Sequence, residues 1–350
     1  MVTDVSSQYY VIINPNAGKH LGMRLWPELA RLLKESGIPF IHIFTEKPLD
    51  AQGFTLNAVQ YGYRKIIIVG GDGTLNEAVN GLFLQAIVPS YEITLAMIPV
   101  GTGNDWGRMY GIPADHASSV KMIREDYTIL QDLGIASYSK DGLRKERYFI
   151  NVAGIGCDAS VTFDMNRRKE KGGGGNISYF MSLMKNLLKY SLVHAAIEAD
   201  GQVIFDGALY SANIGIGKYN GGGMMQLPKA IPDDGLFDIT IIGRLGKFSV
   251  IRNLGKLYDG SFVKIKLVSL HRASTVAVKS NETVLLEVDG ESLGTAPCEF
   301  RILPRAIRVL VPRKNHQECP PLDVSLNMLR FPPYIEATRI ISNISAIRSF

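Results

Sequence analysis

The chain is short of the residues that would place it in several large classes. Three cysteines in 350 residues, Cys157, Cys298 and Cys319, are odd in number and far apart. That argues against a disulfide framework and a four-ligand zinc site, and points to a reducing cytoplasm. The histidines, at 20, 42, 116, 194, 271 and 316, show no ligand spacing. No stretch reaches the roughly 18 uninterrupted apolar residues of a membrane-spanning helix, and the first residues, Asp4 among them, lack the basic-then-apolar run of a signal peptide. Charge is muted as well. A net +5 is too small and too dispersed for a nucleic-acid partner, though it favours contact with anionic lipid or polyphosphate. Also missing are a Walker A loop, a His-Arg-Asp catalytic loop and a His-Glu-x-x-His helix.

What the chain does have is a strand, a glycine turn and a helix in direct succession. Ile66-Ile67-Ile68-Val69 reads as a fully buried strand, Gly70-Gly71-Asp72-Gly73 as a tight turn, and Leu75 to Leu84 has helical spacing. Without Cβ groups at 70, 71 and 73, backbone N–H groups and the helix N-terminus are free to face a phosphate together. Asp72 is the odd residue, because a carboxylate repels a phosphate. It is expected to act through Mg²⁺ or on the proton of an attacking hydroxyl; a plain βα turn with aspartate chosen for turn chemistry is the alternative. A second loop of the same chemistry, Pro99-Val100-Gly101-Thr102-Gly103-Asn104-Asp105, follows the apolar strand Leu95 to Ile98. Ligands of open α/β sheets sit outside the carboxyl ends of the strands, so the two loops predict one shared nucleotide and metal site.

In order, the chain reads as strand Tyr9 to Ile13, turn Asn14-Pro15-Asn16-Ala17-Gly18-Lys19, and a helix with Leu25, Leu29, Leu32 and Leu33 on one face. Strand Phe40 to Phe44 closes on Thr45 and a helix covers about Gln52 to Tyr63. This βαβαβαβ pattern predicts an N-terminal parallel α/β nucleotide-binding domain over residues 1–126. From 127 to 312 the pattern turns to antiparallel β. Strands are expected at Thr128 to Ser139, Arg147 to Val152, Ala196 to Ala199, Gln202 to Phe205, Leu236 to Ile242, Thr275 to Val278, Val284 to Val288 and Phe300 to Leu303, the last of them free to return to the first domain. The fold class is therefore α/β plus a C-terminal β-sandwich, with 313–350 a Pro-rich extension ending in a helix at Ile335 to Ile347. Gly154-Ile155-Gly156-Cys157-Asp158-Ala159 imitates a dinucleotide fingerprint but lacks the following acidic strand. In its place stands Arg167-Arg168-Lys169-Glu170-Lys171 and four glycines, before a helix from Ile177 to Val193. That run is either a solvated loop or a basic hinge touching a membrane. Asp233 and Asp234 lie in a turn suited to a hard cation or to capping a strand, and Asp289-Gly290-Glu291 offers either a hairpin turn or a general base.

The glycine loop Gly70 to Glu77, Gly101 to Asp105, the opening Asn14 to Gly18, Asn151 to Asp158, the Pro232 to Asp238 turn and Asp289-Gly290-Glu291 together resemble the soluble diacylglycerol kinase and sphingosine kinase family over roughly Tyr9 to Val311. The resemblance implies a Mg²⁺- and ATP-dependent lipid kinase, cytoplasmic and peripherally membrane-associated, that phosphorylates a lipid hydroxyl, diacylglycerol first and a sphingoid base or ceramide as alternatives. An NAD-kinase-like small-molecule kinase and a non-catalytic sensor are the rival classes. Carried over by position, Asn14, Pro15, Asn16, Ala17, Gly18, Thr45, Gly71, Asp72, Gly73, Thr74, Leu75, Asn76, Glu77, Thr102 and Asn104 would contact ATP. Asp72 and Asp105 would hold the catalytic Mg²⁺ network, Glu291 would accept the proton, and Asp234 with backbone oxygens of Ile231 and Leu236 would bind a structural Mg²⁺. A lipid surface, met through Arg167, Arg168 and Lys169, is the expected partner, with a homodimer left open. Glu46 departs from the family by standing where a second threonine is usual after Thr45.

Overall fold

The computed structural model describes residues 5–170 and 190–313, the side chains at 168–170, 247 and 248 excepted. The predicted helices at Ile177 to Val193 and Ile335 to Ile347, the glycine run and Lys171 lie wholly or mostly outside them. The first part alternates strands and helices: β1 Tyr9–Ile13, α1 Ala17–Glu35, β2 Phe40–Phe44, α2 Asp50–Gln60, β3 Lys65–Gly70, α3 Asp72–Leu82, β4 Thr94–Pro99, α4 Asp105–Tyr110 and α5 His116–Glu125. Then follow β5 Thr128–Lys140, β6 Leu143–Phe149, β7 Val152–Gly156, α6 Cys157–Glu170, β8 Val193–Ala199, β9 Gln202–Leu209, β10 Ser211–Gly215, β11 Phe237–Ile242, α7 Lys247–Asn253, β12 Val268–Ala273, β13 Thr275–Lys279, β14 Leu285–Val288 and β15 Glu291–Leu310.

Strands β2, β1, β3 and β4 lie side by side and parallel, in that order. Helices cover both faces of such a sheet, which is why Val11 to Ile13, Ile66 to Val69 and Leu95 to Ile98 are uninterrupted apolar runs with no exposed surface. Trp26, Leu29 and Leu33 of α1 pack on this sheet. Leu25 and Leu32 are only partly buried.

The strand that joins the two parts is β15. Its end runs parallel to β4 (Arg308 opposite Thr94, Val309 opposite Leu95), and its earlier residues pair antiparallel with β14, β13 and β5. From there the sheet order continues β14, β7, β10, β11, β12, with antiparallel pairing throughout. A second layer, built from β5, β6, β13, β8 and β9, closes a sandwich over it. Ile155, Ile214, Ile239, Val276, Ile197 and Phe300 fill the space between. Phe149 anchors this core, stacked on Phe237 at 5.7 Å and edge-on to Phe300 at 6.2 Å. Burying one such ring contributes about 2 to 3 kcal/mol.

Several expectations change. The helix after the glycine turn starts at Asp72 rather than Leu75, since Gly71 is already its N-cap. The expected strand Arg147 to Val152 is two strands, broken at Ile150 and Asn151, whose N–H groups donate to Asp289 instead of to a neighbouring strand. The basic run Arg167 to Glu170 is the last turn of α6, not a loop. The dinucleotide-like segment around Gly154 is excluded by topology, because β7 lies between antiparallel β10 and β14.

Candidate active site

The two glycine loops meet at the carboxyl ends of β3 and β4. A Cβ on Gly101 would sit 2.8 Å from the Cα of Gly71, so the loops approach this closely only with glycine at 101, and a Cβ on Gly71 would make a tight 3.3 Å contact in return. A Cβ on Gly73 would meet nothing within 4 Å. At that point the N-terminus of the 11-residue helix α3 opens to solvent, with its unpaired N–H groups and positive dipole end. Asn14 reaches the same place, its Nδ2 donating to Thr74 Oγ1 at 3.0 Å, and its Oδ1 accepting from the N–H of Asn16. Asn16 and Thr102 are exposed, while Pro15, Ala17, Gly18, Gly71 and Asn104 are half-buried around the same opening. Thr45 is buried and ties its N–H to Ile13 O at 2.8 Å.

Two residues of the glycine motif point elsewhere. Leu75 and Asn76 are fully or almost fully buried, so neither offers surface to a nucleotide. Leu75 packs in the core of the parallel sheet. Asn76 faces the sandwich: its Nδ2 donates to Tyr148 O and to Asp289 Oδ2 (2.7 Å), and its Oδ1 accepts from Arg147 at 2.6 Å. Glu77 accepts from Ala51 N–H, at the start of α2, and desolvation raises its pKa above the usual carboxylate range.

Asp72 and Asp105 are both fastened by main-chain donors. Asp72 Oδ2 accepts from Asp105 N–H at 3.0 Å and its Oδ1 from Trp106 N–H at 3.1 Å, so its carboxylate caps α4. Burial, and then the nearby Asp105 charge, push its pKa up. Asp105 Oδ2 and Oδ1 accept from the N–H groups of Gly222 and Gly223 at 2.7 and 2.6 Å, and Arg108 Nε lies 3.7 Å away. Each oxygen of Asp72 keeps a second lone pair beside the open end of α3, which suits a cation arriving with phosphates. Asp105 keeps spare lone pairs as well, but it is more deeply buried and faced by the Arg108 guanidinium, which together disfavour a cation there.

On the sandwich side, Glu291 opens β15 and forms a 2.7 Å ion pair with Arg147. Burial raises the Glu291 pKa and the Arg147 charge partly offsets this. Asp289, two residues away, is half-buried. It accepts from the N–H groups of Ile150, Asn151 and Val152 as well as from Asn76, and desolvation lifts its pKa to about 6. Asn76 thus links the glycine motif directly to the turn that carries Glu291.

The expected structural cation site is filled by protein. Asp234 Oδ1 accepts from Leu236 N–H, its Oδ2 pairs with Arg272, and Arg272 also reaches Asp238 at 3.3 Å. The Arg272 guanidinium already supplies the positive charge that Mg²⁺ was expected to bring to Asp234, Ile231 and Leu236, so these residues do not fit a second cation. Among the described residues no group of three or more His, Cys, Asp and Glu side chains is arranged to hold a metal.

Sequence reasoning missed three residues of this centre. Arg147 sits in a strand whose neighbours Arg144, Lys145 and Glu146 read as a solvated edge. Glu287 is wholly buried, accepts from Asn220 Nδ2 and Gly290 N–H, and is pushed up to about 8, chiefly by desolvation. Asp158 is half-buried, with Ser211 Oγ and Asn213 Nδ2 donating to it at 2.5 and 2.9 Å. Its neighbouring glycines were the only signal.

Residues 8–135 match the diacylglycerol kinase catalytic domain, and residues 151–311 match the YegS C-terminal NAD kinase beta sandwich-like domain. The chain is 32% identical over 303 residues to a Staphylococcus carnosus protein named diacylglycerol kinase, covering 87% of this chain and 94% of that one. The chain belongs to the diacylglycerol kinase catalytic domain family. A Staphylococcus haemolyticus diacylglycerol kinase is likewise 32% identical, over 88% of this chain and 89% of its own. In fold, a solved Bacillus anthracis diacylglycerol kinase superposes with a TM-score of 0.67 at 24% identity, over 88% of this chain and 97% of that one.

Proposed function

We propose that this member of the family transfers the terminal phosphoryl group of ATP to the hydroxyl of diacylglycerol. The observation that carries the reading is the pairing, in one chain, of an open helix N-terminus between two glycine loops with an apolar cavity in the sandwich half. Met224, Leu254 and Phe262 line that cavity, and Asp158, Asn213 and Gln226 give it a polar end. The cavity holds about 60 Å³, enough for part of an acyl chain, so the lipid enters by parting the helical segments of residues 247–264 from the sheet.

In this reading the helix α3 N-terminus, Asn14 and the exposed Asn16 and Thr102 bind the nucleotide phosphates. Asp72 is the residue suited to hold Mg²⁺, which would neutralise phosphate charge when bound. Glu291 takes the proton from the acceptor hydroxyl: a carboxylate whose pKa burial raises is a stronger base than a free one, and the Arg147 charge, which partly offsets the rise, favours its ionised form. Phosphoryl transfer asks little more of a protein than alignment and charge stabilisation, and rigid main-chain anchoring of both carboxylate turns supplies alignment. Contact with the bilayer is assigned to Arg167, Arg168 and Lys169 at the end of α6, of which Arg167 is exposed. No described helix is long and apolar enough to cross a membrane. The test is a panel of defined acceptors with Mg·ATP: diacylglycerol, a sphingoid base, ceramide and NAD. Phosphorylation of diacylglycerol above the others supports the reading, and preference for NAD in the absence of lipid overturns it.

A further inference from the structure

The residues between β10 and β11 carry a feature that the reaction so far does not use. Asn220 and Met224 pair as an antiparallel bridge, their N–H and C=O groups bonded both ways at 2.9 and 3.1 Å, and the three residues that they enclose are Gly221, Gly222 and Gly223. Gly222 and Gly223 have φ of +84° and +101°, a backbone that L side chains rarely adopt. This conformation turns two successive N–H groups onto the single carboxylate of Asp105. The hairpin is held at its other side too. Asn220 Nδ2 donates to Glu287 Oε1 at 3.1 Å, and Asn151 Nδ2 donates to Tyr219 O at 2.7 Å. Arg108 lies 5.9 Å from the centre of the Tyr219 ring. The next residue, Met224, is part of the wall of the apolar cavity. One short hairpin therefore touches the nucleotide loop at one end and the cavity at the other.

We propose that the Asn220–Met224 hairpin positions the acceptor lipid, and that Asp105 serves as its clamp instead of as a metal ligand. Asp105 and Asn220 are then positioning residues, Asp105 gripping the hairpin from the glycine loop Gly101 to Asp105 and Asn220 tying it to Glu287 beside the Asp289-Gly290 turn. The chain order explains the coupling: the Asp72 carboxylate, which faces the phosphates, accepts from the main-chain N–H of Asp105, the residue whose own carboxylate holds the hairpin. This inference rests on the lipid-kinase reading above.

Steady-state kinetics of the full chain with diacylglycerol in mixed micelles, beside calorimetric Mg·ATP binding without lipid, test it. The wild type is compared with Asp105→Asn, which turns one amide donor against a glycine N–H, and with Asn220→Ala, which leaves Asp105 untouched. Melting curves confirm that each variant is folded. The expected result for both is a kcat/KM for diacylglycerol lowered about 10-fold or more through KM, with Mg·ATP affinity within about 2-fold of wild type. Loss of Mg·ATP affinity in Asp105→Asn returns that residue to the metal and overturns the clamp. Should Asp105→Asn fail to fold, Asn220→Ala decides alone: an unchanged KM for diacylglycerol overturns the positioning role. A wild type inactive on diacylglycerol overturns the lipid-kinase reading instead, and the acceptor role with it.

Discussion

Replacing Glu287 with glutamine removes a proton that the folded chain holds and the unfolded chain releases. In the native state Glu287 has no exposed surface, and desolvation, outweighing bonds from Gly290 N–H and Asn220 Nδ2, raises its pKa from 4.5 to about 8, with the Asp158 and Asp289 charges adding to the shift. A carboxyl whose folded pKa is raised contributes stability in full below the unfolded value and loses it as pH rises through the folded value. Between pH 6 and 8 the unfolded side chain is ionised and the folded one still mostly protonated, so stability falls by up to 1.36 kcal/mol per pH unit and by about 2 kcal/mol across that window. Asp132 and Asp289, both raised to about 6 chiefly by burial, titrate near its lower edge and are common to both proteins. Glutamine stays neutral throughout. It sacrifices one of the two accepted bonds, about 1 to 2 kcal/mol that does not depend on pH. Urea unfolding at pH 6, 7 and 8 should therefore show a wild type that loses about 2 kcal/mol more than Glu287→Gln, with the two converging at pH 8. Parallel pH profiles in wild type and variant would refute the assignment of a buried, protonated Glu287.

Asp72→Asn and Glu291→Gln should each stay folded and lose roughly 10²-fold or more in turnover; near-normal turnover in either removes that residue from the mechanism. Because Arg272 occupies the expected cation site, Mg²⁺ removal by chelation should shift the melting temperatures of wild type and Asp234→Ala equally. A Mg²⁺-dependent stabilisation confined to the wild type would instead establish a cation at Asp234. The triple replacement of Arg167, Arg168 and Lys169 by alanine should weaken binding to anionic vesicles by about 1 kcal/mol per charge at low salt and leave the KM for ATP unchanged, and unchanged co-sedimentation across a salt series would make the cluster a solvated helix end.

The parallel half was legible because its strands are buried on both faces. Ile66 to Val69 and Leu95 to Ile98 carry no polar residue to confuse them, and each ends at the glycine loop that defines the site. The sandwich was less legible. The 20-residue strand β15 has irregularities between Thr295 and Cys298 and between Leu303 and Ile307, which interrupt its alternation and left only Phe300 to Leu303 recognisable. Strand β10, Ser211-Ala212-Asn213-Ile214-Gly215, has the composition of a turn yet is wholly buried, its polar side chains facing Asp158. In the site, Asp72 and Glu291 stood out by their glycine neighbours, whereas Arg147 meets Glu291 across 144 residues of chain and looks like any charge on an exposed strand. The roles carried over to Leu75 and Asn76 fail for a physical reason: α3 begins at Asp72, so residues 75 and 76 are already within the helix and buried.

Incubating the full chain with labelled ATP, Mg²⁺ and a total lipid extract, and identifying every labelled product by mass spectrometry, tests the central claim without choosing the acceptor in advance. The account predicts labelled phosphatidic acid formed at the expense of diacylglycerol, and its loss in Glu291→Gln. Label appearing only in a water-soluble product, or in a phosphorylated sphingoid base with diacylglycerol untouched, would contradict it.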